Sequence, residues 1–329
     1  MSEERSIWAA ADLATPMAIR VAATLRLADH IAAGTTTPDA LAEAAGADPD
    51  ALGRLLGHLV TAGVVARTES GYALTALGDQ LRDDHPGGQR AWLDLEGSVG
   101  RADLCFADML HTVRTGEAVF ERRFGRPFWE DLAADPARQA QFDGLMSSRL
   151  TTDAPEVAAA YPWALLGHVV DVGGGDGSLL IAILRAHPGL RGTVVDLPGA
   201  VARAEHAIAA AGLADRAGVA PGSFFDELPP GAGGYVLSGV LHDWPDEDAA
   251  RILRRCADAA GDTGTVLICD HIGEAFDTEG DLRMLCYFNG RERTLDRLGD
   301  LAAAAGLAVA DVTPAGTRSL LALRRAAPA

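Results

Sequence analysis

The chain has 329 residues, 48% hydrophobic and 22% charged, which is room for a large core and more than one domain in an ordinary soluble composition. Its formal net charge of -18, with every one of the 28 basic residues an arginine, argues against a nucleic-acid partner, which requires clustered cations. The four cysteines (Cys105, Cys256, Cys269, Cys286) have neither C-x-x-C nor paired metal spacing, so they read as buried small hydrophobes in a reduced, cytoplasmic protein with no metal. MSEERSIW lacks the basic start and long apolar run of a signal peptide, and no apolar stretch reaches membrane-spanning length, so no membrane association is expected.

In chain order, Ile7 to Ala33 carries apolar residues at helical spacing (Ile19, Ala22, Ala23, Leu27, Ile31) and stops at Gly34. Thr35 to Thr75 then reads as helix, turn at Gly46, helix from Pro49 to Ala62, and two short strands, Val64 to Thr68 and Gly71 to Thr75, around a Glu-Ser-Gly turn. That order is a winged helix, and DNA binding is the rival function it raises. Through Arg90, however, seven arginines face twelve acidic residues, a net of -5, and the second helix offers only Arg54 and His58 as cations. Dimerisation or packing fits this module better. Ala91 to Tyr161 is helical and aromatic-rich; the helix opened by Asp135-Pro136 carries Phe142, Met146 and Leu150 at four-residue spacing, with core packing or the roof of an aromatic substrate pocket as its two readings. The domains expected are 1–90, 91–160 and 161–329.

From His168 onward strands and helices alternate, so the fold class expected is α/β, with a doubly wound, mostly parallel sheet and an antiparallel pair closing the chain. The first strand runs into Gly173, Gly174, Gly175, Asp176 and Gly177, a turn whose glycines let backbone approach a ligand closely. Ser178 replaces the third glycine of the dinucleotide fingerprint, which disfavours a nicotinamide oxidoreductase. Asp171 and Asp176 would repel a diphosphate and suit a cationic ligand without phosphate; S-adenosylmethionine meets that description.

The other candidates fall at strand ends. Asp196 lies 21 residues after Gly175, where an acid meets a ribose diol, and Leu197 follows it. Ser223 and Phe224 follow the third strand of the sheet and could face an adenine. His242, in LHDWPDED at the end of the fourth, has the pKa range for proton removal near neutrality. Asp270 and Glu292 are the carboxylates that could orient its ring, and the following helix is expected to be capped by Asp246.

The combination of DVGGGDG, VDLP, GSFF, VLHDWPDED and NGRERT behind a winged helix resembles the small-molecule O-methyltransferases of the plant caffeate type and their actinobacterial polyketide counterparts. The resemblance covers nearly the whole chain. It implies a Rossmann-like methyltransferase sheet, an N-terminal dimerisation domain, a homodimer and metal-independent, in-line methyl transfer from S-adenosylmethionine to a phenolic or enolic hydroxyl. It implies His242 as general base supported by Asp270 and Glu292, and a cofactor held at Gly173, Gly175, Asp196, Leu197, Ser223, Phe224 and Ser238. Phe142, Met146, Asp243, Asn289 and Arg293 would line the acceptor site. Asp270 is one methylene shorter than the family's usual glutamate, so a looser or water-shared contact with His242 is expected. Ser223 stands where an aspartate is usual, and Ser238 where the plant enzymes have lysine. Some relatives use the same fold for decarboxylation, hydroxylation or pericyclic chemistry, so the fold by itself leaves the reaction open.

Overall fold

A computed structural model describes residues 6–272 and 277–326, so the first five residues of the N-terminal stretch read above lie outside it. The chain forms two compact units, one of residues 1–105 with 132–142, the other of 106–131 with 143–329.

In the first unit the long N-terminal helical pattern is broken into three helices, Ile7–Ala10, Ala14–Thr24 and Leu27–Ala32. Asp12 causes the first break: its carboxylate accepts from the N–H groups of Ala14 and Thr15 and starts a new helix. Arg26 causes the second, with a left-handed backbone (φ 53°) that no helix interior accepts. Helices Pro38–Ala45 and Pro49–Thr61 follow, the latter capped by Asp48, and then the hairpin of β1 (Val65–Thr68) and β2 (Gly71–Leu74). Gly71 is required there, because a Cβ at its φ of 136° would run into the Thr36 carbonyl. Leu27, Leu41, Leu52, Leu56 and Leu59 form the core of this winged-helix unit, and His58 bonds Thr15 within it.

The second unit is built on seven strands: β3 (His168–Val172), β4 (Arg191–Asp196), β5 (Ala217–Pro221), β6 (Gly234–Ser238), β7 (Thr265–Asp270), β8 (Leu307–Ala315) and β9 (Arg318–Arg325). Their order is β5-β4-β3-β6-β7-β9-β8; β3 to β7 are parallel, and β9 runs antiparallel between β7 and β8. All six residues of β7 are buried, as a central strand covered on both faces should be. Helix Asp246–Ala260 lays Ala249, Ile252, Leu253, Cys256 and Ala260 on one face of the sheet, at i, i+3, i+4 spacing. Helices Ser178–Ala186 and Pro198–Ala210 cover the other face. The chain leaves β3 toward β4 and β5 on one side and β6 and β7 on the other, so the winding reverses between β3 and β6. The crevice outside those two strand ends is where such sheets bind ligands.

Candidate active site

The β3 end of the crevice is shaped by backbone. Gly173 has φ 72° and donates its N–H to the Val195 carbonyl at 2.8 Å; a Cβ here would lie 2.8 Å from Val240 Cγ2 and 3.5 Å from the Phe224 ring. Gly175 N–H donates to Asp196 Oδ2 at 2.8 Å, and Leu197 N–H to Oδ1 at 2.6 Å, so the acid predicted to meet a ribose is fixed by the glycine turn itself. Asp176 is committed locally, accepting from the Ser178 N–H and hydroxyl. Asp171 is buried with no hydrogen-bond partner for Oδ2, and burial followed by the charges of Asp196 and Asp176 pushes its pKa up to about 7. Three carboxylates thus crowd one turn, and Arg203 offsets only part of the burial that raises Asp196. A positively charged ligand without phosphate would relieve that repulsion, so the turn fits the cofactor deduced from its sequence. Leu197 is 61% exposed beside it, an apolar surface at the β4 end, and the Ser223 hydroxyl and Phe224 stand after β5. Phe224 also packs on Phe225, Trp244 and the sheet core. Ser238 ends β6.

His242 lies in a short 3-10 turn, Leu241–Asp243, just past β6. Its Nδ1 pairs with Glu292 Oε1 at 2.7 Å, and its Nε2 lies 3.5 Å from Asp243 Oδ1; the ring is 21% exposed and the Glu292 side chain 4%. A carboxylate accepts only, so Nδ1 carries the hydrogen and Nε2 is left to exchange a proton. Burial lowers the His242 pKa, but the charges of Asp243, Glu292 and Asp270 and the Glu292 hydrogen bond outweigh it and push it up to about 9. Burial likewise raises Asp243 to about 7 despite the nearby imidazole.

Asp270 and Arg293 are both engaged with backbone. Asp270 has no hydrogen bond to the ring; its Oδ1 accepts from Gly239 N–H at 2.8 Å, because the shorter side chain meets the β6 exit backbone first. It faces His242 only through charge. Arg293, expected at the acceptor site, has its donors engaged within the fold. Buried at 4%, it donates to Asp246, to the carbonyls of Leu241 and Trp244 and, more weakly, to that of Arg291, so it clamps the His242 turn from behind. Asp246 accordingly does not cap its helix: Pro245 holds the cap position, and the Asp246 carboxylate is taken by Arg293 and Arg297. Arg291 N–H donates to the His242 carbonyl at 2.8 Å, and a Cβ on Gly290 would collide with that same carbonyl. These contacts hold the loop carrying Glu292 against the turn, and the residue types alone did not reveal them.

Asn289 is exposed and closes helix Thr278–Phe288 in the left-handed conformation, φ 60°, which accounts for its residue type by backbone need. Phe142 and Met146 are both half-buried on helix Pro136–Ala160, Phe142 in the first compact unit and Met146 in the second.

A doubly wound sheet with an anionic glycine turn at the switch point and a carboxylate-held histidine beside it defines a methyltransferase-fold enzyme, and the comparisons agree. The O-methyltransferase domain model matches residues 106–308 and the O-methyltransferase dimerisation domain model residues 9–83. The chain belongs to the O-methyltransferase family. It is 57% identical over 309 residues, 93% of each chain, to a 2,7-dihydroxy-5-methyl-1-naphthoate 7-O-methyltransferase of Streptomyces carzinostaticus. It is 49% identical to the aclacinomycin 10-hydroxylase RdmB of Streptomyces purpurascens, over 94% of this chain and 85% of that one. Its fold superposes with a TM-score of 0.95, at 54% identity over 99% of this chain and 100% of the other, on NcsB1, an O-methyltransferase from neocarzinostatin biosynthesis solved with S-adenosylmethionine and 2-hydroxy-5-methyl naphthoic acid.

Proposed function

We propose that this enzyme methylates a phenolic or enolic hydroxyl of an aromatic polyketide acceptor of the hydroxynaphthoic acid type, with S-adenosylmethionine as donor and His242 as base. The observation that carries the reading is the His242–Glu292 pair, which engages Nδ1 and leaves Nε2 outside that hydrogen bond, just past β6, the strand paired with β3. Gly173, Gly175, Asp196, Leu197, Ser223, Phe224 and Ser238 hold the donor. When bound, it supplies an electrophilic methyl carbon and leaves as a thioether. Nε2 takes the hydroxyl proton as the oxygen becomes nucleophilic; Glu292 keeps the ring oriented and balances the imidazolium. General-base help of this kind is worth roughly 10²- to 10⁴-fold, and alignment of the reacting atoms on the order of 7 to 11 kcal/mol. Met146, Phe142, Asp243 and Asn289 face the acceptor in this reading, and residues 1–90 pair two copies into a homodimer in the cytoplasm, with 91–160 roofing the acceptor site and 161–329 binding the donor.

The identity with RdmB supports a second reading, in which the donor is bound and its methyl stays in place. Incubating the protein with methyl-labelled S-adenosylmethionine and a panel of hydroxynaphthoic acids separates the two. Methylation gives a product heavier by one methyl and one equivalent of S-adenosylhomocysteine; binding of donor with neither product defeats the proposal.

A further inference from the structure

His242 is faced by charge from several elements. Asp243 stands beside it in its own turn, Glu292 and the clamping Arg293 come from the loop after helix Thr278–Phe288, and Asp270 comes from the end of β7. Arg291 lines the same small cavity as His242, Asp270, His271 and Glu292. One more cation arrives from β9. In the antiparallel register Ser319 lies opposite Asp270, so Arg318 enters the sheet at the level of the catalytic turn. Its side chain is 7% exposed; Nε donates to Asp153 Oδ2 at 2.8 Å and Nη1 to the Cys269 carbonyl at 3.3 Å, while Thr317 Oγ1 donates to Asp153 Oδ1 at 3.2 Å.

Gly239 shows how near this pair is to the base. Its φ is +64°, and the point where a Cβ would stand is 3.8 Å from His242 Nε2 and 4.0 Å from Arg318 Nη1. The same residue gives its N–H to Asp270. The reacting nitrogen, the guanidinium and the Asp270 carboxylate are therefore grouped around one glycine. A buried ion pair is a poor device for stability, since apolar residues of equal volume commonly serve as well. A charge held here does something an apolar pair could not.

We infer that Arg318, held in place by Asp153, is a positioning residue for the base: it offsets the charge of Asp270 and so sets the pH at which His242 Nε2 becomes free to take a proton. This rests on His242 being the base, as proposed above. Arg318 touches neither the ring nor any reacting atom; its effect runs through Asp270 and the shared field around Gly239.

The ring can be followed directly by NMR titration of 15N-histidine-labelled protein, with the His242 signal assigned by its loss in His242→Gln. Asp153→Asn removes one of the two carboxylates that face Arg318 and leaves its charge opposed by Asp270 alone, and the His242 midpoint should fall by on the order of one pH unit. Arg318→Gln should raise it by a similar amount. The double variant Asp153→Asn/Arg318→Gln removes both members of the ion pair together, guards against a folding defect from half of it, and should also raise it. The acid limb of kcat/KM should move in the same directions while the donor Kd stays constant. Midpoints that move the same way in Asp153→Asn and the double variant, or that do not move, overturn the inference. Opposite shifts in a protein that methylates nothing uphold it and defeat the functional reading instead.

Discussion

On the β3–β5 side of the crevice the groups that would meet a ligand stand at three successive strand ends, between Gly173 and Phe224, and the first of them are fixed by backbone: Gly175 N–H holds Asp196, Leu197 N–H holds its other oxygen, and Gly173 offers bare main chain. On the β6–β7 side the histidine and its turn are fixed by side chains, Glu292 on His242 across 50 residues and Arg293 on Leu241 across 52, while Asp270 takes the backbone N–H of Gly239. The proposed donor side is thus built mainly from main chain at three adjacent strand ends, whereas the proposed base depends on side chains that the assembled sheet brings together. Damage should follow that division: changes near β3 should weaken binding with the catalytic turn intact, and changes near β6 should spoil turnover with binding intact.

The largest effect expected is from His242→Ala. Turnover should fall roughly 10²- to 10⁴-fold, and calorimetric titration should show unchanged donor affinity. Near wild-type turnover would mean that alignment alone carries the reaction. With the native histidine, kcat/KM should rise with pH toward about 9, because the ring of the free protein holds its proton below that value. A flat profile between pH 6 and pH 9 contradicts this; those bounds bracket roughly the ordinary and the raised histidine pKa.

Arg293→Ala removes a buried cation and leaves Asp246 and two backbone carbonyls short of a donor, so denaturant unfolding should register a loss of about 3–5 kcal/mol. If stability is unaltered, the clamp is redundant and the two sides differ less than their contacts imply.

Asp171→Asn should do the reverse for the free protein. The folded-state pKa is raised to about 7 from 3.8, so its stabilising contribution is complete below 3.8 and is lost as the pH rises through 7. At pH 8 and above, the asparagine variant should therefore be more stable, by at most about 4 kcal/mol from the linkage of about three pKa units. It should also bind a cationic donor more weakly. Thermal melts at pH 4 and pH 8, run with and without donor (pH values chosen to sit roughly either side of the titration), read both effects.

The smallest change is Gly173→Ala. One methyl meets Val240 at 2.8 Å on a positive-φ backbone, and donor affinity should drop roughly 10- to 100-fold, a cost of about 1–3 kcal/mol. Here kcat at saturating donor should hold; if it falls as His242→Ala does, the two sides are not separable.

Much of this architecture is legible in the sequence because its signals are local. The glycine turn, the acid at the end of β4, the wing and the alternation of strands and helices each show within a short window. The broken N-terminal helix was less legible, since Asp12 and Arg26 act through capping and one backbone angle inside an otherwise continuous apolar pattern. The clamp made by Arg293 was not legible, since charge and proximity to a motif suggest a ligand and say nothing of the carbonyls of the His242 turn that take its donors. For Asp270 the shorter side chain already pointed to a looser link with the ring, but the Gly239 N–H that it meets instead was not legible. Arg318 carried no signal: only the insertion of β9 beside β7 brings it to the site.

The four cysteines, all buried, bear on a hazard particular to this chemistry. A sulfonium donor is an alkylating agent, and a thiolate is the protein nucleophile most open to it. Cys269 precedes Asp270 on β7, and burial holds its thiol, like that of Cys256, far above the ordinary cysteine range. With no lysine amine anywhere in the chain either, the protein presents its own methyl donor with no ready side-chain amine or thiolate to alkylate. Mass spectrometry after prolonged incubation with the donor alone should find the chain unmethylated.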